Sequence, residues 1–299
     1  MTVDLITSSP PLARELPCTP RIAILMATYA GDEPAHLKAA LKSLSLQRYP
    51  REMMCIYLAV DGPIPNTNAR LIESARRAKG AVAMRIVPLA VNSGLAEALN
   101  AAAKQLGDEE FVFRADADDL SEPTRIEEQV RYMKAHPEVD ILGTSIVEFS
   151  ESDHILGQRT YPRAHQVRAY ISYASPLAHP SVCFRRSAWE RLGGYRPIPF
   201  NEDLDMWFRA ADAGMCIDNL SQPLVRFRIS PGFYRRRSWS KAFAEFRCYE
   251  RGIFALHGLD WRLALPPVRL LARLMPPAFT KFLYGRSALR RKVLNRGSA

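Results

Sequence analysis

No glycine-rich phosphate loop occurs in this chain of 299 residues. Neither G-x-G-x-x-G after an apolar run nor G-x-x-x-x-G-K-[ST] is present, so a diphosphate would have to be held by a metal, not by a glycine cradle. Cysteine is sparse and unpatterned. Cys18, Cys55, Cys183, Cys216 and Cys248 form no Cys-x-x-Cys pair and no zinc-type spacing with histidine. An odd, scattered set argues against a disulfide framework and fits a reducing compartment. No apolar run reaches the roughly 18–20 residues of a spanning helix. The N-terminus carries Asp4 and prolines where a secretory signal has a basic stretch and an apolar core, so no such signal is expected. Acidic residues are nearly missing from the last quarter: Arg226 to Ala299 holds 17 Lys+Arg against 3 Asp+Glu, while the preceding 225 residues hold 24 against 28. The net charge of +10 therefore belongs to the C-terminal part, which points to a polyanionic partner there.

What is present is an alternation of short apolar runs and helical patterns. Residues 1–20, with four prolines and no periodicity, read as a flexible tail. Arg21–Thr28, Met54–Asp61, Met84–Pro88 and Phe111–Ala115 have strand length and apolar content. Pro34–Gln47, Asn66–Lys79 and Gly94–Leu106 show helical spacing between them. Such alternation predicts a doubly wound, mostly parallel α/β sheet flanked by helices. Beyond it, Thr124–His136 and a stretch beginning at Leu204 are expected helices. Asp140–Phe149, Val182–Phe184 and Pro223–Phe227 are expected strands, and residues 150–230 are otherwise irregular.

Ligands of an open parallel sheet bind outside the carboxyl ends of its strands. Three polar segments sit at those ends: Thr28 to Glu33, Asp61-Gly62-Pro63, and Asp116-Ala-Asp118-Asp119. The last is the most informative. Residues two apart on an extended chain point the same way, so Asp116 and Asp118 can face one site while Asp119 points elsewhere. Adjacent carboxylates repel unless a cation lies between them, and a hard divalent ion with oxygen ligands suits the pair. The competing reading is an acidic turn and a cap for the helix that follows Ser121.

Five segments together resemble family 2 of the inverting glycosyltransferases, above all members that build bacterial exopolysaccharide, capsule or O-chains. They are Ala27-Thr-Tyr-Ala-Gly-Asp-Glu33, Val60-Asp-Gly-Pro63, Asn92-Ser-Gly-Leu-Ala-Glu-Ala-Leu-Asn100, Arg114-Ala-Asp-Ala-Asp-Asp119 and Asn201-Glu-Asp-Leu-Asp-Met-Trp207. The resemblance covers about residues 21–230. It implies the A-type glycosyltransferase (GT-A) fold, a Rossmann-like nucleotide half plus an acceptor half, a nucleoside-diphosphate sugar donor (a UDP-sugar by expectation) and Mg2+ or Mn2+. By position, Thr28, Tyr29 and Glu33 would line the nucleotide pocket and Asp61 would bind the base. The family often has two aspartates at that point, where this chain has Val60 before Asp61. Asp116 would contact the ribose or the metal, and Asp118 would be the main metal ligand. Arg114 would either meet phosphate and sugar or neutralise the neighbouring aspartates.

The same resemblance makes Asp203 the base that takes a proton from an acceptor hydroxyl, with Glu202 beside it on the donor side. Local sequence offers a second role, since an acidic side chain in a first helical turn interacts favourably with the dipole. That dipole would lower the pKa of Asp203. His179, before Pro180, would line the sugar or acceptor side, or serve as a structural loop residue. Gly193-Gly194-Tyr195 is expected to form a tight turn that aims the Glu202-Asp203 loop, and Trp207 and Phe208 to be core. Residues 231–299 are expected to form a basic, amphipathic helical region. There Val268, Leu271, Leu274 and Met275 accompany Arg269 and Arg273 between Pro266-Pro267 and Pro276-Pro277. This region suits either a solvated helix packed on the catalytic part, residues 21–230, or an in-plane helix on an anionic leaflet. The partners expected are therefore a nucleotide sugar, a glycan or lipid-linked acceptor and the inner face of the cytoplasmic membrane, with no nucleic acid. A sugar-phosphate nucleotidyltransferase is the alternative enzyme, but its first loop is usually glycine-rich and basic. A nucleic-acid-binding protein would need a recognisable motif in the basic region, and none is found.

Overall fold

The structure, a computed structural model, describes residues 19–230 and 239–274, the latter with side chains through Leu271. The expected alternation is there: β1 (Ile22–Tyr29), α1 (Pro34–Ser45), β2 (Met54–Asp61), α2 (Asn66–Arg77), β3 (Ala83–Pro88), α3 (Leu95–Ala103) and β4 (Phe111–Ala115). After a two-residue β5 (Leu120–Ser121) come α4 (Arg125–Ala135), β6 (Val139–Ser150), β7 (Ile155–Arg159), α5 (Ala164–Tyr170), β8 (Cys183–Arg185), α6 (Arg186–Leu192), α7 (Glu202–Asp212), β9 (Cys216–Ile229), α8 (Trp239–His257) and α9 (Leu265–Leu274). The tail expected at residues 1–20 lies almost wholly outside the described residues, as do Arg235-Arg236-Arg237 and the second proline pair.

The sheet runs β3-β2-β1-β4-β8-β6-β9-β5, with β7 paired to β6. It is parallel from β3 through β4, and β6 pairs β9 in parallel, whereas β8, β7 and β5 run antiparallel to their neighbours. The α/β sheet with flanking helices is thus as expected, and its second half is mixed. Both faces of β1 are covered, which is why its sequence is a continuous apolar run instead of an alternation. Ala23 and Leu25 join a core with α3, α7 and α8, while Ile22, Ile24 and Met26 join one with α1, α2 and α4. Tyr249, Ile253 and Leu256 of α8 are in the first of these cores, so the helix after residue 230 is built into the catalytic unit.

The order β3-β2-β1-β4 places the reversal of strand order between β1 and β4, where open α/β sheets bind ligands. Register pairs Tyr29 with Asp61 and Met26 with Ala115. The three polar segments therefore leave the sheet along one edge.

Candidate active site

The loop after β1 folds back on itself. Asp32 accepts from the Thr28 hydroxyl at 2.8 Å and from the Tyr29 amide at 3.1 Å. Thr28 is buried and committed to this turn, Tyr29 is exposed, and Glu33 is exposed at the start of α1 without a capping bond. It is Asp32 that turns toward the acidic cluster, since its charge acts on Asp118 and that of Asp116 acts on it. Burial raises the Asp32 pKa, against the pull of its Thr28 and Tyr29 hydrogen bonds.

Asp61, at the end of β2, is buried, and it accepts from the amides of Ser93 at 2.7 Å and Gly94 at 2.9 Å. One carboxylate thus satisfies two amides at the start of α3 and ties that helix to the strand end. Gly62 is required beside it: its φ is +80° and a Cβ would lie 2.6 Å from the Asn92 backbone nitrogen.

At the end of β4, Arg114 is buried and its Nη1 lies 2.6 Å from Asp116 Oδ1, while its Nε has no hydrogen-bond partner. Asp118 is exposed and carries no ion pair among the described residues. Desolvation by its packed surroundings, together with the charges of Asp116 and Asp32, pushes it up to about 6. Asp119 is buried. Its Oδ1 accepts from the Arg228 amide of β9 at 2.8 Å, and its Oδ2 is buried without a partner. Burial and the neighbouring aspartates raise its pKa well above the usual carboxylate range. Among the described residues, none of the three caps α4; the Ile126 amide is met by Gln47 Oε1 at 3.1 Å.

Carboxylate oxygens of Asp116, Asp118 and Asp119 lie within 4.8 Å of one another. Such crowding raises carboxyl pKa values, and a divalent cation with oxygen ligands would relieve it. The residues fit such an ion: hard oxygen donors, one of them an orphaned buried oxygen, at the strand end. Beneath them, buried Arg125 sends Nη2 to the Arg114 carbonyl at 2.7 Å and Nη1 to Ser121 Oγ at 3.0 Å, fixing where β4 turns.

Asp203 sits in the first turn of α7. Before it, Phe200 and Asn201 adopt φ of 71° and 60°. Left-handed backbone is unusual for a bulky residue such as Phe200 and costs on the order of 1–3 kcal/mol, a strain that clusters at functional sites. The next acid along, Asp205, is paired with Arg209 at 2.8 Å, but no cationic side chain among the described residues pairs with Asp203. The sequence-based expectation of a lowered pKa is corrected here. Burial and then the Glu202 charge outweigh the amides of Leu204 and of Asp203 itself, and they push the carboxyl up to about 6.

Between these clusters lies Tyr195, buried, its hydroxyl 2.7 Å from His179 Nε2. Its burial keeps the phenol protonated, and the charges of Arg114, Asp203, Glu202 and Asp116 all reach it. His179 is held well below the usual histidine range by its enclosure and by Arg114, so it is a neutral imidazole. Asn100 clamps Tyr195, donating to its carbonyl at 2.7 Å and accepting from its amide at 2.9 Å. Gly194, at φ +75°, leaves room for that clamp, since a Cβ would lie 2.5 Å from Asn100 Oδ1.

A family model described as "Glycosyltransferase like family 2" matches residues 20–245. The chain belongs to this glycosyltransferase family. Its relatives include the amylovoran biosynthesis glycosyltransferase AmsE of Erwinia amylovora, 29% identical across 88% of this chain and 97% of the relative. A second is the Escherichia coli UDP-Gal:alpha-D-GlcNAc-diphosphoundecaprenol beta-1,3-galactosyltransferase, 29% identical across 89% and 96%. Among solved structures, the mannosyltransferase PcManGT of Pyrobaculum calidifontis in complex with GDP-Man and Mn2+ superposes with a TM-score of 0.56. Its sequence identity is 19%, over 91% of this chain and 81% of that one, which supports the shared fold.

In the glycosyltransferase, Asp116, Asp118, Arg114, Glu202, Asp203 and His179 thus share one electrostatic neighbourhood centred on Tyr195 and Arg114. Thr28, Tyr29 and Asp61 lie along the same edge, and Asp61 is already engaged by two amides. Sequence reasoning passed over Asp32, Asn100, Tyr195, Arg125 and Arg228. Asp32, Asn100 and Tyr195 left a signal, inside the Ala27–Glu33 segment, at the end of the Asn92 segment and after a double glycine; Arg125 and Arg228 left none.

Proposed function

We propose that this glycosyltransferase moves a sugar from a UDP-sugar to a hydroxyl of a lipid-linked glycan, with inversion, in cell-surface polysaccharide synthesis. The observation that carries the reading is the cluster of three carboxylates within 4.8 Å at the β4 end. Asp116 and Asp118 would hold Mg2+ or Mn2+, and Asp119 would face the same ion with its orphaned oxygen. When bound, the cation supplies charge neutralisation for the departing nucleoside diphosphate. Arg114 holds Asp116 in place from below. Thr28, Tyr29, Glu33 and Asp61 edge the nucleotide side, and His179 and Glu202 the sugar side.

Asp203 takes the proton of the acceptor hydroxyl onto a carboxylate oxygen. The acceptor oxygen then bonds to the anomeric carbon as the bond from that carbon to the diphosphate oxygen breaks. A single displacement inverts the centre. A pKa near 6 leaves Asp203 ionised at neutral pH and makes it a stronger base than an ordinary aspartate. The similarity to an enzyme named for a UDP-sugar and a diphosphoundecaprenol acceptor supports the substrate classes. No helix among the described residues is long and apolar enough to cross a membrane. The excess of basic residues after Arg226 and the similarity to an enzyme named for a diphosphoundecaprenol acceptor support a peripheral position on the inner face of the cytoplasmic membrane. The test is transfer across a panel of nucleotide sugars and lipid-diphosphate acceptors, with the product's anomeric configuration read by NMR. A retained configuration would sink the single-displacement mechanism.

A further inference from the structure

The last two helices among the described residues form a hairpin with exposed apolar side chains on its outer side. Pro266, Arg269 and Leu270 of α9 line one crevice with Ala242, Glu245, Phe246 and Tyr249 of α8, so α9 packs along α8. Prolines are tolerated in a first helical turn, and α9 begins at Leu265 instead of being bracketed by them. Sequence reasoning paired Arg269 with the apolar side chains of the outer face. The structure turns it inward, 3.2 Å from Glu245 and 4.3 Å over the Tyr249 ring. Outside stand Trp261, in the 3-10 turn that joins the two helices, and Val268 and Leu271 of α9, 61%, 61% and 60% exposed, with Phe254 and Leu259 exposed near the same turn.

The start of α8 continues this character. Trp239 is 74% exposed and Phe243 48%. Lys241 Nζ lies 4.9 Å over the ring of Phe200, the strained residue that precedes the Asp203 loop. The apolar hairpin therefore begins beside the base. Residues 231–299 hold 15 Lys+Arg and 3 Asp+Glu, and two of those acids, Glu245 and Asp260, are already paired with Arg269 and Arg262. Exposed tryptophan and aliphatic side chains within a region of net positive charge suit the boundary between anionic headgroups and acyl chains.

We propose that the α8–α9 hairpin is the membrane-docking element. It inserts Trp261, Val268 and Leu271, with Trp239 and Phe243, into an anionic bilayer surface and so seats the Asp203 loop at the height of a lipid-linked hydroxyl. The occupant is the bilayer, not a second copy of the chain. The functional consequence rests on the proposed use of a lipid-linked acceptor; the docking itself does not.

The test is flotation of the full chain with phosphatidylcholine vesicles containing or lacking phosphatidylglycerol, for the wild type, the double variant Trp261→Asp/Leu271→Asp and a control, Ile155→Asp, exposed on β7. Both positions are exposed, so the fold is expected to persist, as checked by thermal melting. The wild type and the control should float with the anionic vesicles, and the double variant should bind at least about tenfold more weakly. Transfer to a water-soluble acceptor should be equal in all three. Equal flotation of the double variant, or no flotation of the wild type, overturns the proposal. So does a lipid-free, concentration-dependent dimer that the double variant abolishes. Flotation without any glycosyl transfer would leave the docking face standing and remove the proposed reaction instead.

Discussion

Replacing Asp203 by Asn should stabilise the protein while it destroys transfer. The carboxyl rises from an ordinary 3.8 to about 6 on folding, chiefly through burial. At about 1.4 kcal/mol per tenfold change in acidity, the ionised native form is penalised by up to roughly 3 kcal/mol. Residual exposure of the side chain reduces the expected effect to on the order of 1–2 kcal/mol. Because the native pKa lies above the unfolded one, ionisation opposes folding. The penalty is complete above about pH 6, shrinks between 6 and 3.8, and vanishes below. Urea unfolding of Asp203→Asn should thus show a higher midpoint than wild type at pH 8, with the gap closing by pH 4. Wild-type transfer should be half-maximal near pH 6 and fall about tenfold for each further unit of acidity. Donor binding by the variant should be nearly unchanged. A variant that is less stable at pH 8, or a stability gap that ignores pH, would refute the burial argument; retained transfer would refute the assignment as base.

Asp61→Ala removes the buried carboxylate that accepts from the partly exposed Ser93 and Gly94 amides and should cost about 1–3 kcal/mol, read as a lowered urea midpoint. Asn100→Ala should lower kcat for transfer more than it raises the donor KM, because the Tyr195 backbone loses both of its clamping bonds; an unchanged kcat would show that the clamp does not position the site. Gly194→Ala should destabilise by about 1–3 kcal/mol through its left-handed backbone and the close approach of Asn100, seen as a lower Tm. Arg114→Met leaves Asp116 without its buried partner and should cost at least about 3 kcal/mol in urea unfolding.

The nucleotide-binding half was legible because local pattern and tertiary role agree there. Buried parallel strands need continuous apolar runs, and β1, β2 and β4 supply them; amphipathic spacing marked α1 to α4. Residues 150–230 were harder to read. Ahead of them, the two-residue β5 (Leu120–Ser121) was equally hard to read, because it is held by pairing with β9 rather than by its own sequence. The exposed β7 has little apolar signal, and α5 and α6 have seven residues each. Strand β9 runs over 14 residues with register irregularities against β6, so its short expected core, Pro223–Phe227, concealed its true length. Within the site, the aspartate run could be found by its alternation. The direction of the Asp203 shift could not, since enclosure by distant segments overrides the helix dipole. Asp119, which alternation points away from Asp116 and Asp118, is instead held in the same cluster by the Arg228 amide of the adjacent strand β9.

If Asp116 and Asp118 hold a divalent cation that binds the diphosphate of the sugar donor, donor affinity depends on both the ion and the carboxylates. Isothermal titration of a UDP-sugar into wild type and Asp118→Asn, each with and without Mn2+, tests it most directly. Tight binding is expected only for wild type with the ion, with a loss of at least about tenfold on removing either the ion or the carboxylate. Equal affinity in all four titrations would contradict it.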